Sequence, residues 1–233
     1  MLNDTNGHLV NLFTVIREQG EALALEIEMT PWSEAEYERF EHALDEGDAL
    51  ERARRFLVRC WQAHGGTLAS SSGWKHNGLG GRAYPVRLWQ QLPQRLLAVI
   101  ERLRDAEIRS RPALELIPYY RHPSVLIYAD PPYVRKTRSR DYYPDEMTDE
   151  EHVQLLATLE LHPGPVVLSG YSHPLYKERL AHWQRLEMLA VAEHGKHCME
   201  VLWLNRKVVN QGQLWMFDSG EGPSREAENL PFL

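Results

Sequence analysis

The first hundred residues carry hydrophobic positions at the three-to-four-residue spacing of helices that bury one face. Polar residues that favour helix starts mark where these helices begin. The pattern predicts four helices, which begin near Asn6, after Ser33, at Asp48 and around Leu88. Between the third and the fourth, residues 67–82 are rich in glycine and serine, which predicts a long exposed loop.

From residue 106 onward, short apolar runs alternate with helical segments. Strands are predicted over 125–129, 165–168 and 201–204, and helices over 148–161 and 174–183. Because the apolar runs lack polar alternation, the strands are expected to be buried on both faces, as in a parallel or mostly parallel sheet. The alternation predicts an α/β fold for the second half. Thr148 and Glu151 have the spacing of a capping box, as do Ser33 and Glu36.

Composition excludes several classes of protein. The chain has 233 residues, 43% hydrophobic and 25% charged, which fits one large domain or one domain with an insert. No apolar run approaches the ~20 residues that a membrane span needs. Only two cysteines, Cys60 and Cys198, are present, so we expect a cytoplasmic protein without a disulfide framework. The segment 194–198 holds two histidines and a cysteine, but no second cluster accompanies it, so a turn between two strands is predicted there and no metal site.

Charge is distributed unevenly along the chain, whose formal net charge is −7. Residues 1–50 hold twelve acidic and two basic side chains, a balance of −10. Residues 51–95 hold eight basic side chains and one acidic, a balance of +7. This asymmetry is typical of a segment that binds a polyanion, but a solvated helix face gives the same pattern. Charge alone does not choose between them.

One tetrapeptide, Asp130-Pro131-Pro132-Tyr133, directly follows the predicted strand 125–129. Ligands of open α/β sheets bind beyond the carboxyl ends of the strands, so these residues lie where chemistry is expected. The Asp130 carboxylate and the Pro131 carbonyl could accept both hydrogens of an exocyclic amine and direct its lone pair at a methyl donor. Tyr133 could stack on the base that carries the amine. The alternative is a strand that ends in a turn without chemistry.

This motif resembles that of the DNA adenine N6-methyltransferases of the Dam-like, phage-encoded class. Other segments are similar to blocks of that family in the same order, and the resemblance covers nearly the whole chain to Asn205. These segments are 3–11, 53–57, 142–144, 146–150, 168–171 and 200–205.

The resemblance implies a Rossmann-like, S-adenosylmethionine-dependent methyltransferase sheet with an inserted, mostly helical DNA-recognition subdomain. The implied organisation is a methyltransferase start over 1–32, the recognition insert over 33–104, the remaining methyltransferase domain over 105–217 and a flexible tail over 218–233. Asp4 would bind the ribose hydroxyls of S-adenosylmethionine. Asp130 would contact both the methionine part of that cofactor and the target amine.

The implied partner is double-stranded DNA, bound by a monomer with the target adenine flipped out of the helix. Within the insert, the expected DNA contacts are Arg52, Arg55, Arg59, Trp74 and Lys75. Just past the motif, they are Arg135, Lys136, Arg138 and Arg140, for which a solvated loop is the alternative. For Trp74 the alternative is packing within its own loop.

The chain departs from the family at two places. The glycine-rich first motif and the first strand are absent, so residues 125–129 are expected to lack a neighbouring strand on one side. Their backbone donors and acceptors would then lie unpaired inside the protein, at a cost of about 1 to 3 kcal/mol each. A fragment, a misplaced start, a decayed copy or a strand from another polypeptide would each explain this. Pro112 stands where the family has an aspartate for the cofactor adenine. A catalytically dead DNA-binding remnant, or a methyltransferase for RNA or protein amines, is therefore an alternative function.

Overall fold

The computed structural model describes residues 1–64, 73–76, 84–135, 146–191, 197–205 and 207–208. The chain divides into two compact units, residues 1–112 and 113–233. Each unit has its own hydrophobic core and is described by itself.

The described part of the first unit consists of four helices and two short strands. The helices are α1 (Gly7–Met29), α2 (Glu34–Glu41), α3 (Ala49–Gln62) and α4 (Tyr84–Leu103), and the strands are β1 (Leu2–Asn3) and β2 (Ile108–Arg109). All four helices were predicted from the hydrophobic spacing. The parallel pair of β1 and β2 was not, because two residues are too few to show a pattern.

Side chains at the helix starts explain where two of these helices begin. The Asn6 side chain accepts hydrogen bonds from the backbone N–H groups of His8 and Leu9, and that of Asp48 accepts one from Glu51. The capping box predicted at Ser33 does not form, since its side chain makes no capping hydrogen bond. The Ser33 backbone N–H instead donates to the Gln62 side chain.

The core of the first unit lies between α1, α3 and α4. Its fully buried side chains include Leu12, Leu23, Leu57 and Leu96. Gly20 allows α1 to approach α4 closely, because a Cβ at this position would lie 2.5 Å from the Ile100 side chain. Helix α1 therefore shares one core with the helices of the expected insert, although it was assigned to the methyltransferase start. The domain boundaries at 32 and 104 stay predictions.

The described part of the second unit contains three helices and four strands. The helices are α5 (Ala113–Tyr119), α6 (Asp149–Glu160) and α7 (Pro174–Arg179), and the strands are β3 (Ile127–Ala129), β4 (Val166–Tyr171), β5 (Gln184–Val191) and β6 (His197–Leu204). The capping box of Thr148 and Glu151 forms with both hydrogen bonds. Helix α7 ends four residues earlier than predicted, and β5 is the strand implied before the turn at 194–198, for which no bounds were predicted.

The four strands form one sheet in the order β3-β4-β6-β5. Strand β3 is parallel to β4, while β6 is antiparallel to both β4 and β5. The predicted parallel or mostly parallel sheet is therefore wrong in this unit. The physical reason is the short connection between β5 and β6, because so few residues can join only antiparallel neighbours.

The two central strands of this sheet, β4 and β6, pack apolar side chains on both faces. Leu168, Val201 and Trp203 pack on one face against residues of α6 and α7. Val167 and Leu202 pack on the other face with Val208. Burial on both faces is therefore confirmed for β4 and β6, but it is wrong for the predicted strand 125–129, whose Leu126 and Tyr128 side chains are exposed.

Strand β3 lies at the end of this sheet. Within the described residues no strand pairs with its second edge, and the side chains of Leu126 and Tyr128 are 53% and 61% exposed. We expected unpaired backbone groups buried inside the protein here. The structure places them instead at an exposed edge, where water can bond them, so that penalty does not arise. That another polypeptide supplies a strand stays a prediction.

Candidate active site

Asp130 lies at the carboxyl end of β3, as predicted, and its side chain is exposed. On the neighbouring strand β4, the buried Ser169 hydroxyl donates to the Asp130 carboxylate over 2.6 Å. The same hydroxyl oxygen lies 3.3 Å from the Ala129 carbonyl oxygen. The carboxylate is thus accessible to a ligand and held in place by the adjacent strand. Segment 168–171 resembles a block of the family, but this role of Ser169 was not predicted, because it depends on the pairing of β3 with β4.

The backbone after Asp130 leads back into the core. Pro131, Pro132 and Tyr133 are half-buried, and Val134 is buried in the core of the second unit. Two consecutive prolines fix φ and remove two N–H donors. The Pro131 carbonyl therefore sits in a stiff segment that is anchored at both ends.

The Tyr133 ring packs edge-on against Tyr171, the last residue of β4. Their ring centroids are 4.6 Å apart at an interplanar angle of 73°. Burial raises the pKa of the Tyr133 phenol, and the negative charges of Asp130 and Glu200 raise it further. The phenol is therefore neutral at physiological pH, so this aromatic surface beside Asp130 carries no charge of its own.

Glu200 is a residue of this site that the sequence reasoning gave no role. It lies on β6 directly opposite Tyr171 and is half-buried. Burial raises the pKa of its carboxyl group, and the charge of Asp130 adds to the effect. Two signals were available in the sequence: a glutamate beside the apolar run 201–204, and its place in segment 200–205, which resembles a block of the family.

Asp4, the expected cofactor ligand, lies in the first unit directly after β1. Its carboxylate accepts a hydrogen bond of 2.7 Å from the Asn6 backbone N–H, and its own N–H donates to the Arg109 carbonyl. Asp4 is half-exposed at the start of α1, and Pro112 is exposed at the end of the unit. Asp4 and Asp130 belong to different units.

The arginines of α3 that were expected to contact DNA make contacts within the first unit. Arg55 is largely buried, donates to Glu51 over 2.7 Å and donates to the Ala43 carbonyl over 2.6 Å. Arg52 and Arg59 donate to the carbonyls of Gly47 and Glu41. The charge of Arg55 is thus compensated inside the fold, which weakens its case as a phosphate ligand.

Glu51 is the centre of this charge cluster. It also receives two hydrogen bonds from Arg54, of 2.7 and 2.9 Å. Burial alone would raise the pKa of Glu51, but the hydrogen bonds from Arg54 and Arg55 outweigh it and lower that pKa. Arg54 and Arg55 also lie over the Phe40 ring. Part of the basic balance of 51–95 is therefore neutralised locally.

Trp74 and Lys75 belong to a short described piece of the predicted loop. Trp74 pairs with Ala63 as a β-bridge, and its indole N–H donates to the Gln62 side chain over 3.3 Å. The Lys75 backbone N–H donates to the Gln62 carbonyl over 2.6 Å. Residues 73–76 are thus docked on the end of α3, as the alternative of loop packing implied. Arg135 is exposed, and Lys136, Arg138 and Arg140 lie outside the described residues.

Two further expectations concern metals and membranes. Across the residues that the structure describes, no group of three or more His, Cys, Asp and Glu side chains could hold a metal ion. Most of the segment 194–198 and the tail 218–233 lie outside them. None of the described helices is long and apolar enough to cross a membrane.

Comparison with known proteins identifies the family of the chain. The family of D12 class N6 adenine-specific DNA methyltransferases matches residues 1–188, which include Asp4 and the motif Asp130–Tyr133. Glu200 and Asn205 lie beyond the matched range. No curated protein matches the chain. Since the family match covers well over half of its residues, the chain belongs to the D12 class of adenine-specific DNA methyltransferases, and its reaction is methylation of adenine N6 in DNA.

Proposed function

We propose that Asp130 and the Pro131 carbonyl hold the amine of the target adenine during methyl transfer. The exposed Asp130 carboxylate, fixed by Ser169 at 2.6 Å, is the observation that carries this proposal. Each oxygen accepts a hydrogen bond from one N–H of the amine. These two bonds draw the nitrogen lone pair out of conjugation with the ring. Acceptors fixed beforehand stabilise the positive charge that develops on that nitrogen.

The base itself stacks on Tyr133. Tyr171 supports the ring of Tyr133 from the edge, with 4.6 Å between centroids, so the stacking surface is fixed before the base arrives. A stacked base gains about 1 to 3 kcal/mol in comparable sites. Because a base inside a duplex cannot reach this surface, the adenine is flipped out of double-stranded DNA.

S-adenosylmethionine supplies the electrophilic methyl group when it is bound. Asp4 fits the ribose of this cofactor, because its half-exposed carboxylate follows a strand end and uses one oxygen for the Asn6 N–H. Within the described chain, no hydrogen bond to its other oxygen competes with a ribose hydroxyl. Pro112 offers no carboxylate for the adenine of the cofactor, so we propose no contact between residue 112 and that adenine.

The DNA duplex is contacted by basic side chains and one tryptophan outside the catalytic motif. The proposed contacts are Arg52, Arg59, Trp74 and Lys75 in the segment 33–104, together with Arg135, Lys136 and Arg138. Arg55 is left out of this set, because it pairs with Glu51 and the Ala43 carbonyl. Phosphate contacts of this kind give an affinity that falls steeply with salt. Residues 33–104 accordingly form the proposed recognition insert, and the sheet of the second unit is proposed as part of a Rossmann-like methyltransferase sheet.

Transfer of a tritiated methyl group from S-adenosylmethionine to DNA, RNA and protein tests this function. We expect label in adenine of DNA and none in RNA or protein. The Asp130→Ala variant should lose transfer while its affinity for DNA, measured by gel shift, stays within a few-fold. Equal activity of Asp130→Ala and the wild type would refute the proposed role.

The same assay separates the alternatives. A wild-type chain that shifts duplex DNA, yet neither binds the cofactor nor transfers label, would be a DNA-binding remnant. Label in RNA or protein would indicate the other amine substrates.

A further inference from the structure

Glu200 lies at the same end of the sheet as the catalytic motif. Strands β3 and β4 are parallel and both end there, whereas β6 runs antiparallel and has its earlier residues at that end. In this register Glu200 stands directly opposite Tyr171. Side chains of directly opposite residues share a face, with Cβ atoms roughly 4.5 to 5.5 Å apart.

The face that Glu200 shares is the face of the Asp130 contact. Ser169 and Tyr171 are two positions apart on β4, so their side chains point to the same side of the sheet. Ser169 binds the Asp130 carboxylate, and Tyr171 packs on the Tyr133 ring. Glu200 therefore belongs to one cluster with the two residues that hold the proposed substrate amine and base.

The charges around Glu200 leave its carboxylate without a cationic partner in the described chain. On the next strand, β5, it faces Met188, which is uncharged. Arg185, a basic residue of the same strand, forms an ion pair with Glu187 and donates a hydrogen bond to the Ser172 hydroxyl oxygen. A half-buried carboxylate beside a second carboxylate destabilises the fold, and such arrangements are concentrated at functional sites.

We propose that Glu200 is a second carboxylate of the methyl-transfer site and accepts the proton that leaves adenine N6. This inference rests on the proposed roles of Asp130 and Tyr133. As the bond from N6 to the methyl carbon forms, the bond from that carbon to the cofactor sulfur breaks and its electron pair stays on sulfur. The nitrogen then carries one proton too many. That proton, which is hydrogen-bonded to the Asp130 carboxylate, passes through Asp130 to a Glu200 carboxylate oxygen and from there to water.

Two carboxylates in different surroundings suit these two tasks. Asp130 is exposed, and its Oδ1 accepts a hydrogen bond from the Ser169 hydroxyl. This bond holds the carboxylate in place as an acceptor for the amine. Glu200 is half-buried, and both burial and the charge of Asp130 raise the pKa of Glu200, so it binds a proton more readily than an ordinary glutamate. A base must be deprotonated to act, so the rate should rise as the pH rises through the pKa of Glu200.

Methyl transfer by Glu200→Gln, followed in single turnovers across pH, tests the proposal. Glutamine keeps the size and polarity of the side chain but removes its basicity. We expect the rate at neutral pH to fall about 100-fold, since positioned bases contribute at least that much. The rise on the acidic side of the profile should disappear, and the affinity for DNA should change less than twofold. Glu200→Asp, which keeps a carboxylate, should recover a measurable part of the rate.

Glu187→Gln on β5 is the matched control, because Glu187 lies on the opposite face of the sheet and pairs with Arg185. Its rate should match that of the wild type. If Glu200→Gln retains full rate and the wild-type pH profile while Asp130→Ala is inactive, the role of Glu200 is wrong and the proposed function stands.

A second measurement needs no turnover. In protein with ¹³C-labelled glutamate carboxyl groups, NMR titration follows the pKa of Glu200 directly. Asp130→Asn should lower that pKa, because it removes the neighbouring negative charge. An unchanged titration would place Glu200 outside the cluster and overturn the inference. If the wild-type chain transfers no methyl group, the enzyme function fails for this chain, and the titration alone decides whether Glu200 belongs to the site.

Discussion

The orientation of the Asp130 carboxylate depends on one hydroxyl group. Ser169 donates to it over 2.6 Å and is itself buried in the sheet, so it has few other positions to adopt. An exposed aspartate at a strand end would otherwise sample several rotamers. If Asp130 has its proposed role, Ser169 is a positioning residue that acts on the substrate through Asp130.

Replacement of Ser169 by alanine should slow methyl transfer without loss of the fold. A hydrogen bond to a charged group contributes about 1.5 to 3 kcal/mol, so we expect the single-turnover rate to fall roughly 10- to 100-fold. Ser172→Ala is the control, since that hydroxyl contacts Arg185 and not Asp130. An unchanged rate in Ser169→Ala would mean that the carboxylate is held by other means.

At the scale of residues the sequence predicted where the motif lies, while the chemical role of its residues stays a prediction. Asp130 to Tyr133 form one contiguous segment, and a strand before them is enough to place them at a sheet edge. Ser169 and Glu200 reach the site through strand pairing, and a single sequence does not encode register in readable form. They could be found only once β4 and β6 were placed.

At the level of elements, the turn before β4 fixes how that strand meets β3. Gly164 lies in this turn, and a Cβ there would come within 2.3 Å of the Val125 carbonyl oxygen. The Asn205 side chain donates to the Gly164 carbonyl and accepts from the Val166 N–H, so the end of β6 is tied to the same turn. The backbone here has no room for a side chain.

Gly164→Ala should destabilise the protein by about 1 to 3 kcal/mol, because the added methyl group forces the backbone next to β3 to move. Urea unfolding, followed by tryptophan fluorescence, measures the change. Gly7→Ala is the matched control, since nothing lies within 4 Å of a Cβ at this helix start. Equal stabilities for the two variants would show that the turn can relax at little cost.

The elements that the sequence predicted well are those with local signals. Helices that begin at Asn6, Asp48 and Thr148 were placed correctly, because each start depends on a side chain that bonds a backbone N–H two or three residues later. The strand directions were predicted wrongly. Strand β6 is antiparallel to both of its neighbours, and the apolar run 201–204 carries no signal of direction. The Ser33 capping box failed because Gln62, distant in sequence, binds the Ser33 N–H.

On the scale of the whole chain, the acidic and basic stretches partly neutralise each other. Arg54 and Arg55 come from the basic segment 51–95, and they pair with Glu36 and Glu46 from the acidic first fifty residues. A charge balance counted along the sequence therefore overstates the positive charge that is available to bind DNA phosphates. This distinction decides which arginines should affect DNA binding and which should affect stability.

Arg55 and Arg135 should accordingly behave in opposite ways when each is replaced by alanine. Arg135 is exposed and follows the motif, so Arg135→Ala should weaken binding alike on all sequences and flatten the salt dependence of log K by about one unit. Arg55→Ala should leave that slope unchanged and lower the free energy of unfolding by about 1 to 3 kcal/mol, because it removes hydrogen bonds to Glu51 and Ala43.

Fluorescence anisotropy on labelled duplexes across salt concentrations, together with urea unfolding, separates these effects. Arg39→Ala is the control for stability, because Arg39 forms an exposed ion pair with Glu36, and such pairs contribute about 1 kcal/mol or less. If Arg55→Ala instead flattened the slope and kept its stability, Arg55 would leave its internal partners to bind phosphate. The recognition surface of this methyltransferase would then include the centre of α3, and its basic balance would act on DNA as the sequence first suggested.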